Sequence, residues 1–343
     1  MTTKRYAAFA LAAVVLATVA ALVVLLAVDL YLHRKYMDLV AINTRGYRGP
    51  AVGRKQPGEW RLAVLGESTA FGYGVHWHDA IPALLEERLN AVAGAARRAS
   101  ILNLAYNNEG AHSYPFTLED YAYLDYDAVL LYSGYNDLWS NTEAFRRKSI
   151  VFRLTGYMPI FPLIFREKAM VIRWNGALED AYWGRKTTFV PTLAQRATAT
   201  ALETAVSISR SLDEQFAQDH HILSREEGHV VDAATAEGVE CGIDFDHYCG
   251  EMYVATKFAL DRGTQVLVVT QPHMNARHRE QQAVLRAFLE RRFGGNARLH
   301  FASMEDEIDL KDRSLAYDGM HLTRAGNQRI AAALEPHARK LMP

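Results

Sequence analysis

Ser68, Asp318 and His321 are the residue types that an acyl-transfer site uses, and each lies in a short motif suited to that chemistry. Residues 61–69 read RLAVLGEST, an apolar run that enters a small-residue turn with a hydroxyl at its tip. Residues 317–327 read YDGMHLTRAGN, which places a carboxylate three residues before an imidazole. An imidazole can take the serine proton during attack while a carboxylate holds its other nitrogen. The motifs predict a triad, provided that the fold brings them together.

The negative charge that develops on an attacked carbonyl needs fixed hydrogen-bond donors, and the chain offers three candidates. The backbone N–H of Ser68 is the first. Gly110 can supply a second, because a residue without a side chain lets the backbone approach a substrate closely. Asn136 offers a side-chain amide as the third.

Each motif also has a purely structural interpretation. Ser68 can serve only as a helix N-cap, and the pairs of Gly with Asn or Asp around residues 134–137 and 318–319 are common in ordinary turns. What favours catalysis is the joint occurrence of these motifs, each at the end of a predicted strand or the start of a predicted helix.

Short apolar runs alternate with amphipathic stretches along the chain, a pattern that predicts an α/β fold with a parallel sheet and helices on both faces. The predicted strands cover residues 62–65, 101–104, 128–132, 266–270 and 298–301. The predicted helices cover residues 81–92, 248–262, 276–293 and 323–341. In such folds ligands bind at the carboxyl edge of the sheet, where Ser68, Gly110 and Asn136 are expected.

Four blocks of this sequence resemble the SGNH/GDSL hydrolases: Gly66-Glu67-Ser68, Gly110, Gly134 to Asp137, and Asp318 to His321. The resemblance covers roughly residues 61–140 and 263–334. It implies a three-layer α/β/α domain with about five parallel strands, the flavodoxin-like SGNH fold. It also implies a triad of Ser68, Asp318 and His321, with an oxyanion hole from Ser68, Gly110 and Asn136. Two positions depart from the pattern, since Glu67 replaces the usual Asp and Ala105 stands where a glycine is common.

Residues 7–28 contain no charged side chain, and as a helix they would span about 33 Å, enough to cross the hydrocarbon core of a bilayer. We expect an uncleaved membrane anchor over residues 1–35, with a cleaved secretory signal as the alternative. A linker is expected over 36–59 and the hydrolase domain over 60–343. A single span most economically places that domain on the extracytoplasmic side, periplasmic or extracellular.

An insertion is expected over residues 141–246, partly helical at 193–218. Its apolar stretches at 160–165 and 170–174 suit a protein core; the sharper alternative is a lid or a membrane-facing surface. The basic run of Arg146, Arg147 and Lys148 is interpreted as a solvated or headgroup-facing cluster. Cys241 and Cys249 either form a disulfide or remain two separate thiols.

Composition excludes some partners. The 38 basic and 39 acidic residues leave a formal charge of -1, so no nucleic-acid partner is expected. His76 and His78 lack a third ligand at suitable spacing, and no metal or other cofactor is expected.

These observations predict a membrane-anchored serine esterase that removes an acyl group, such as acetyl, from an extracytoplasmic glycan or lipid. An O-acyltransferase that uses the same triad on an extracellular polysaccharide is the first alternative. A non-catalytic glycan-binding scaffold is the second.

Overall fold

A computed structural model of the chain describes residues 3–37, 42–91, 98–139, 141–176, 189–219 and 240–342. The chain divides into two compact units. Met1–Met37 and Ser149–His220 form the first, which we call the helical unit; Asp38–Lys148 and His221–Pro343 form the second, the sheet unit. The insertion expected over 141–246 therefore falls largely in the helical unit, although its residues 177–188 and 220–239 lie outside the described residues.

The sheet unit contains five strands that are hydrogen-bonded in the order β2-β1-β3-β4-β5, and every pair is parallel. The strands are β1 (Glu59–Gly66), β2 (Arg98–Asn103), β3 (Ala128–Tyr132), β4 (Gln265–Thr270) and β5 (Leu299–Ser303). All five residues of β3 are buried, as expected for a central strand that is covered on both faces. The predicted α/β fold with five parallel strands is confirmed, in the flavodoxin-like order.

The helices of the described residues are α1 (Thr3–Lys35), α2 (Ser68–Phe71), α3 (Ile81–Asn90), α4 (Tyr114–Asp120), α5 (Ile150–Thr155), α6 (Phe161–Arg173), α7 (Leu193–Asp219), α8 (Asp246–Asp261), α9 (Ala276–Phe293) and α10 (Arg324–Leu341). In the sheet unit α3 packs against α10, whereas α4 and α9 pack against α8. Right-handed crossovers place these two groups on opposite faces, because β1 to β2 runs one way along the sheet and β3 to β5 the other.

Part of the segment expected to be a linker packs into the sheet unit. Ile42 and Tyr47 are buried, and Arg48 forms isolated bridges with Ile42 and with Asn103 at the end of β2. Apolar and aromatic side chains at 42 and 47 explain why these residues leave solvent.

The helical unit contains α1, α5, α6 and α7. Within α1, Arg5–Lys35 has a mean hydropathy of 3.0 over its most apolar window, so by length and composition it could cross a membrane, as an anchor or as a signal sequence. The predicted helix at 193–218 matches α7. In α6 only Ile164 and Ala169 are buried, so the apolar stretch at 160–165 is only partly core.

Candidate active site

Ser68 is the first residue of α2, and a tight turn with the single residue Glu67 separates it from the buried strand β1. Gly66 makes this turn possible, because a Cβ there would lie 2.5 Å from the Cβ of Ala70 and 2.6 Å from the carbonyl oxygen of Tyr132. Ser68 is 8% exposed. The hydroxyl therefore lies at the carboxyl edge of the sheet, where the sequence predicted it.

His321 lies in a tight loop between β5 and α10. The backbone N–H of Tyr317 donates to the carbonyl of His321 at 3.0 Å, and Gly319 adopts the left-handed conformation, with φ 89°, that closes the turn. Directly after the loop, the Thr323 side chain accepts from the backbone N–H of Gly326 and caps α10. The capped start of α10 thereby fixes the backbone just after His321.

The two motifs meet. Nε2 of His321 lies 2.8 Å from Oγ of Ser68, and Nδ1 lies 2.6 Å from Oδ2 of Asp318. The other oxygen of Asp318 accepts the backbone N–H groups of His321 at 2.7 Å and Met320 at 3.0 Å. This row of alcohol, ring and carboxylate has the geometry needed to move a proton from the serine to the imidazole.

The carboxylate of Asp318 is stabilised in its charged form. Partial burial raises its pKa, but the hydrogen bonds and positive charge of His321 outweigh burial and hold the pKa of Asp318 below its ordinary value. An ionised Asp318 can hold the proton on Nδ1, which leaves Nε2 as the acceptor toward Ser68.

Two tyrosines that the sequence did not identify border the imidazole. The Tyr317 ring is stacked with His321 at 5.8 Å between centroids, and the Tyr73 ring lies at 5.0 Å on a tilt. The Tyr317 hydroxyl donates to the Tyr73 carbonyl at 3.1 Å. A Cβ on Gly74 would lie 2.4 Å from that hydroxyl, so a glycine at 74 makes room for the contact. Tyr317 directly precedes Asp318 in the sequence, and this proximity could have suggested that its ring contacts His321.

Gly110 and Asn136 come together on the other side of the site. Nδ2 of Asn136 donates to the carbonyl of Glu109 at 2.8 Å. The backbone N–H of Ala111 lies 3.1 Å from each carboxylate oxygen of Asp137. A Cβ on Gly110 would lie 2.3 Å from Oδ1 of Asp137, so only glycine fits. The structure thus joins the second and third motif blocks, although the prediction gave no role to Asp137.

Glu67 connects the segment of residues 134–137 to the turn that carries Ser68. Its two carboxyl oxygens accept the backbone N–H groups of Gly134 at 2.8 Å and Asn136 at 3.0 Å. A side-chain hydrogen bond joins Glu67 to Asp137. Burial, reinforced by the Asp137 charge, raises the pKa of Glu67 well above its ordinary value, and burial also raises the pKa of Asp137. We infer that Glu67 carries a proton that it donates to Asp137, since two like charges cannot both persist there.

Two buried arginines support the surrounding loops. Arg48 donates to the carbonyls of Phe71, Gly72 and Val75 just after α2, and its burial lowers the pKa of Arg48 to about 9. Arg146 donates to the carbonyls of Gly46, Leu104 and Ala105 and pairs with the Glu109 carboxylate at 3.3 Å.

The interpretation of Arg146 as part of a solvated cluster is therefore wrong, because its guanidinium is only 3% exposed and is occupied by buried carbonyls. Its neighbours in the basic run do lie nearer the surface: Arg147 pairs with Glu119 and Asp120, and Lys148 with Glu143.

Two clefts lie beside the loop that carries Asp318 and His321. One, of about 270 Å³, is mostly polar and is lined by His273, Met274, Asp309, Leu310, Lys311, Arg313, Asp318 and Gly319. The other, of about 300 Å³, has a mostly apolar surface that includes several amides and is lined by Asn108, Tyr135, Asn136, Leu138, Trp139, Asn141, Met274, Asn275 and Met320. Trp139 is 73% exposed at the edge of the second cleft, which is therefore open to solvent.

Searches against family models and curated proteins found no match to this chain. Among solved structures, the chain is similar to a family two carbohydrate esterase from Cellvibrio japonicus, with 12% identity and a TM-score of 0.40 over 86% of this chain and 63% of that one. It is similar also to a family two carbohydrate esterase from Clostridium thermocellum in complex with cellohexaose, with 11% identity and a TM-score of 0.41 over 84% and 66%. The chain thus spans less than two thirds of the length of each.

Cys241 and Cys249 are joined by a disulfide in the structure, with their Cα atoms 6.4 Å apart. The bond closes the loop that leads into α8, and both sulfurs are largely buried. The backbone N–H of Cys241 also donates to Asp246 at 2.8 Å, so the loop is fixed to the first residue of the helix. Among the described residues no group of three or more His, Cys, Asp or Glu side chains could hold a metal ion.

Proposed function

We propose that this chain is a membrane-anchored serine esterase that removes an acyl group, such as acetyl, from an extracytoplasmic glycan. The observation that carries the proposal is the continuous row from Oγ of Ser68 through both nitrogens of His321 to Asp318. A helix N-cap or an ordinary turn has no need of that row. An acyl-transfer site requires it.

In the proposed reaction Ser68 Oγ attacks the ester carbonyl carbon while Nε2 of His321 takes the hydroxyl proton. The imidazolium, stabilised by Asp318, then gives that proton to the departing sugar oxygen, which leaves an acyl-Ser68 ester. Water enters, His321 removes its proton, and the oxygen of the water attacks the acyl carbon. Breakdown of this second intermediate releases the carboxylic acid and returns the proton to Ser68.

The oxyanion would be held by the backbone N–H groups of Ser68 and Gly110 and by the Asn136 amide. Asn136 has two N–H bonds on Nδ2, and one is used by the Glu109 carbonyl, which orients the amide and leaves the second for the substrate. The Glu67 carboxyl fixes the backbone of the same residue. Donors fixed in advance are what lowers the barrier, by about 3 kcal/mol each in a well-studied case.

A glycan ester fits the second cleft better than a long-chain lipid ester does. Four asparagines offer both donors and acceptors to hydroxyl groups, and the exposed Trp139 ring offers a flat apolar face to a sugar. A long acyl chain would instead require an enclosed apolar cavity. Acetylated oligosaccharides and long-chain p-nitrophenyl esters should be compared by kcat/KM; a strong preference for the long chains would contradict the glycan proposal.

The contacts at the end of α1 support an anchor that is retained in the mature protein. Asp29 and His33 are buried within the helical unit, where they contact residues 157–161. If a signal peptidase cleaved the chain after residue 33, Asp29 and His33 would be lost. The polar groups of residues 157–161 that they contact would then lack these partners, at a cost in stability for each group left buried. The mass of the chain isolated from membranes distinguishes the two cases, because a signal sequence would be missing from it.

The decisive experiment for catalysis is substitution of the nucleophile and the base. Ser68→Ala and His321→Ala should each reduce ester hydrolysis by several orders of magnitude, as triad removals do in other enzymes. Ser207→Ala, which changes an exposed serine of the helical unit, is the matched control and should leave the rate unchanged. A fluorophosphonate should label the wild type and the control but not Ser68→Ala. Activity retained in both triad variants would refute the proposal.

The pair of clefts favours a second candidate, an O-acyltransferase. One cleft borders Asp318 and the other borders Asn136, so a donor ester and an acceptor hydroxyl could occupy separate sites beside the same acyl-serine. An acyl donor should be supplied with and without a polysaccharide acceptor. Accumulation of free acid in both cases supports the esterase, and transfer to the acceptor supports the acyltransferase.

A further inference from the structure

Residues 154–165 of the helical unit form an uncharged turn that reads LTGYMPIFPLIF. It runs from the end of α5 through Gly156 into the first turn of α6. Basic side chains flank it closely, with Arg153 on one side and Arg166 and Lys168 on the other. Leu154 is 60% exposed, and Phe161, Leu163 and Phe165 are half-buried. The turn therefore presents apolar surface that this unit does not cover.

Asp29 fixes this turn to the end of the apolar helix. Its Oδ1 accepts the backbone N–H groups of Ile160 at 2.9 Å and Phe161 at 2.7 Å, and its Oδ2 accepts the Tyr157 hydroxyl at 2.5 Å. Asp29 thereby caps the amino end of α6 from another helix, although it is only 2% exposed itself. His33, one turn later, lies 3.0 Å from the carbonyl of Met158.

The position of Asp29 in α1 sets the depth of the turn. It is the first charged residue after the uncharged stretch of residues 7–28, whose side chains are exposed along the helix. If that stretch fills the hydrocarbon core, Asp29 lies at the boundary between hydrocarbon and headgroups. Three backbone or hydroxyl donors then replace the water that a carboxylate would otherwise need there.

The direction of α6 decides which end of it faces the bilayer. Phe161 lies beside Asp29, and the Lys168 ammonium lies 5.6 Å from the ring of Tyr36. Seven residues further along α6 therefore correspond to seven residues after Asp29, at Tyr36 just beyond the end of α1, so the two segments run in parallel away from the apolar stretch. The amino end of α6 and the turn before it are therefore nearer to the span than the carboxyl end of α6 is.

We propose that residues 154–165 insert into the interfacial layer of a phospholipid bilayer beside the span of α1. This inference rests on the proposed membrane anchor. Apolar and aromatic side chains are favoured at that depth, where Tyr157 and the phenylalanines can leave water without losing their polar neighbours. Arg166 and Lys168, which are exposed and have Glu167 between them, are positioned in the chain to extend toward lipid phosphates. Within residues 160–165, for which the sequence left a core segment, a lid or a membrane-facing surface open, Ile160 and Ile164 are buried and the other four residues are half-buried.

The test places one nitroxide label at a time on the full chain in phosphatidylcholine vesicles. Cys241 and Cys249 are bonded to each other, so an introduced cysteine is the single free thiol. Leu154→Cys reports the turn, and Val19→Cys reports the span. Thr204→Cys is the water control, since it is exposed next to Glu203, which pairs with Arg173 about 18 Å further along α6.

Accessibility to dissolved oxygen, relative to a water-soluble nickel complex, should be highest at Val19, intermediate at Leu154 and lowest at Thr204. The same ratio at Leu154 and Thr204, with Val19 in lipid, would overturn this inference and leave the anchor intact. Water access at all three sites would overturn the anchor as well. Esterase activity is measured on the same samples. A protein that lacks this activity would count against the assignment of Ser68 as nucleophile, independently of where the labels lie.

Asp29→Ala tests whether the cap at the amino end of α6 sets the depth of the turn. With the cap removed, the Leu154 label should shift toward water while the Val19 label stays in lipid. Asp29→Asn keeps an acceptor for the two backbone N–H groups and should leave the Leu154 ratio near its original value. An unchanged Leu154 ratio in Asp29→Ala would show that Asp29 does not set the depth of the turn, contrary to the inference.

Discussion

The two sides of the candidate site use carboxyl groups in opposite ways. In the loop of residues 316–322, Asp318 is half-exposed and its pKa is held below the ordinary value by His321. In the turn of residues 134–137, Asp137 and its partner Glu67 are buried and both pKa values are raised. One side keeps a charge that the proposed reaction would use. The other side neutralises one carboxyl of its pair and uses the carboxyl oxygens to fix the backbone.

The difference follows from what each side must do. The imidazole changes its protonation state in each proposed catalytic cycle, so it needs an ionised neighbour that offsets the positive charge. The proposed oxyanion donors would instead need to be in place before the reaction, and a buried network with its partners satisfied is rigid. Asp318 therefore acts within a few residues of His321, whereas Glu67 connects its own segment to the distant turn of residues 134–137.

The largest expected effect comes from removing the charge on the first side. Asp318→Asn keeps the shape but cannot hold the proton on Nδ1 of His321 in the same way, and kcat should fall by about 10⁴-fold, as in a serine protease with the equivalent change. Asp306→Asn, on an exposed aspartate outside the site, is the control. A loss of less than tenfold, with an unchanged melting temperature, would argue that His321 is not oriented by Asp318.

A smaller effect is expected on the second side. Asn136→Ala removes the side-chain donor and should lower kcat by about 10²- to 10³-fold with little change in KM, because the donor acts on the transition state. It also frees the Glu109 carbonyl, so the melting temperature is measured in parallel. Asn296→Ala, in a surface turn, is the control. If KM rises while kcat is unchanged, Asn136 binds substrate rather than the oxyanion.

The pH dependence of stability distinguishes the two sides. A carboxyl whose pKa is raised by folding adds stability below its unfolded pKa, near 4.5 for glutamate, and that stability is lost as pH rises through the folded value. As pH rises above 5, the melting temperature of the wild type should therefore fall relative to that of Glu67→Gln, whose residue 67 cannot titrate. The gap between the two curves is the measured quantity.

Glu280→Gln, at an exposed glutamate, is the matched control for that experiment and should give a curve parallel to wild type. Parallel curves for Glu67→Gln as well would mean that the buried pair is not protonated in the folded state. Asp318 works in the opposite direction, since its lowered pKa adds stability that is lost as pH falls through the folded value.

The same contrast explains what the sequence could and could not predict. The alternation of apolar runs predicted all five strands, because buried strands must be apolar. Asp318 and His321 were predictable as a pair because three residues separate them. Glu67 was recognised as a departure from the family pattern, but its bonds to Gly134 and Asn136 depend on strand order, which local sequence does not encode.

The burial of Arg146 is a second feature that local sequence does not predict. A run of three basic residues is usually solvated, and two of the three lie nearer the surface here. The third is buried because carbonyls at Gly46, Leu104 and Ala105, from two other segments, converge on it. No spacing within the run distinguishes Arg146 from its neighbours.

The smallest expected effect concerns a hydrogen bond between Tyr317 in the His321 loop and Tyr73 in the loop that follows Ser68. Tyr317→Phe keeps the ring stacked on His321 and removes only the hydroxyl that donates to the Tyr73 carbonyl. Loss of one such bond costs about 1 kcal/mol, so kcat should fall by less than about tenfold with a slightly lower melting temperature. Tyr123→Phe, at a tyrosine that is 59% exposed, is the matched control. A loss as large as that of Asp318→Asn would mean that the loop is not locally organised, and that the imidazole depends on long-range support as much as the Asn136 side does.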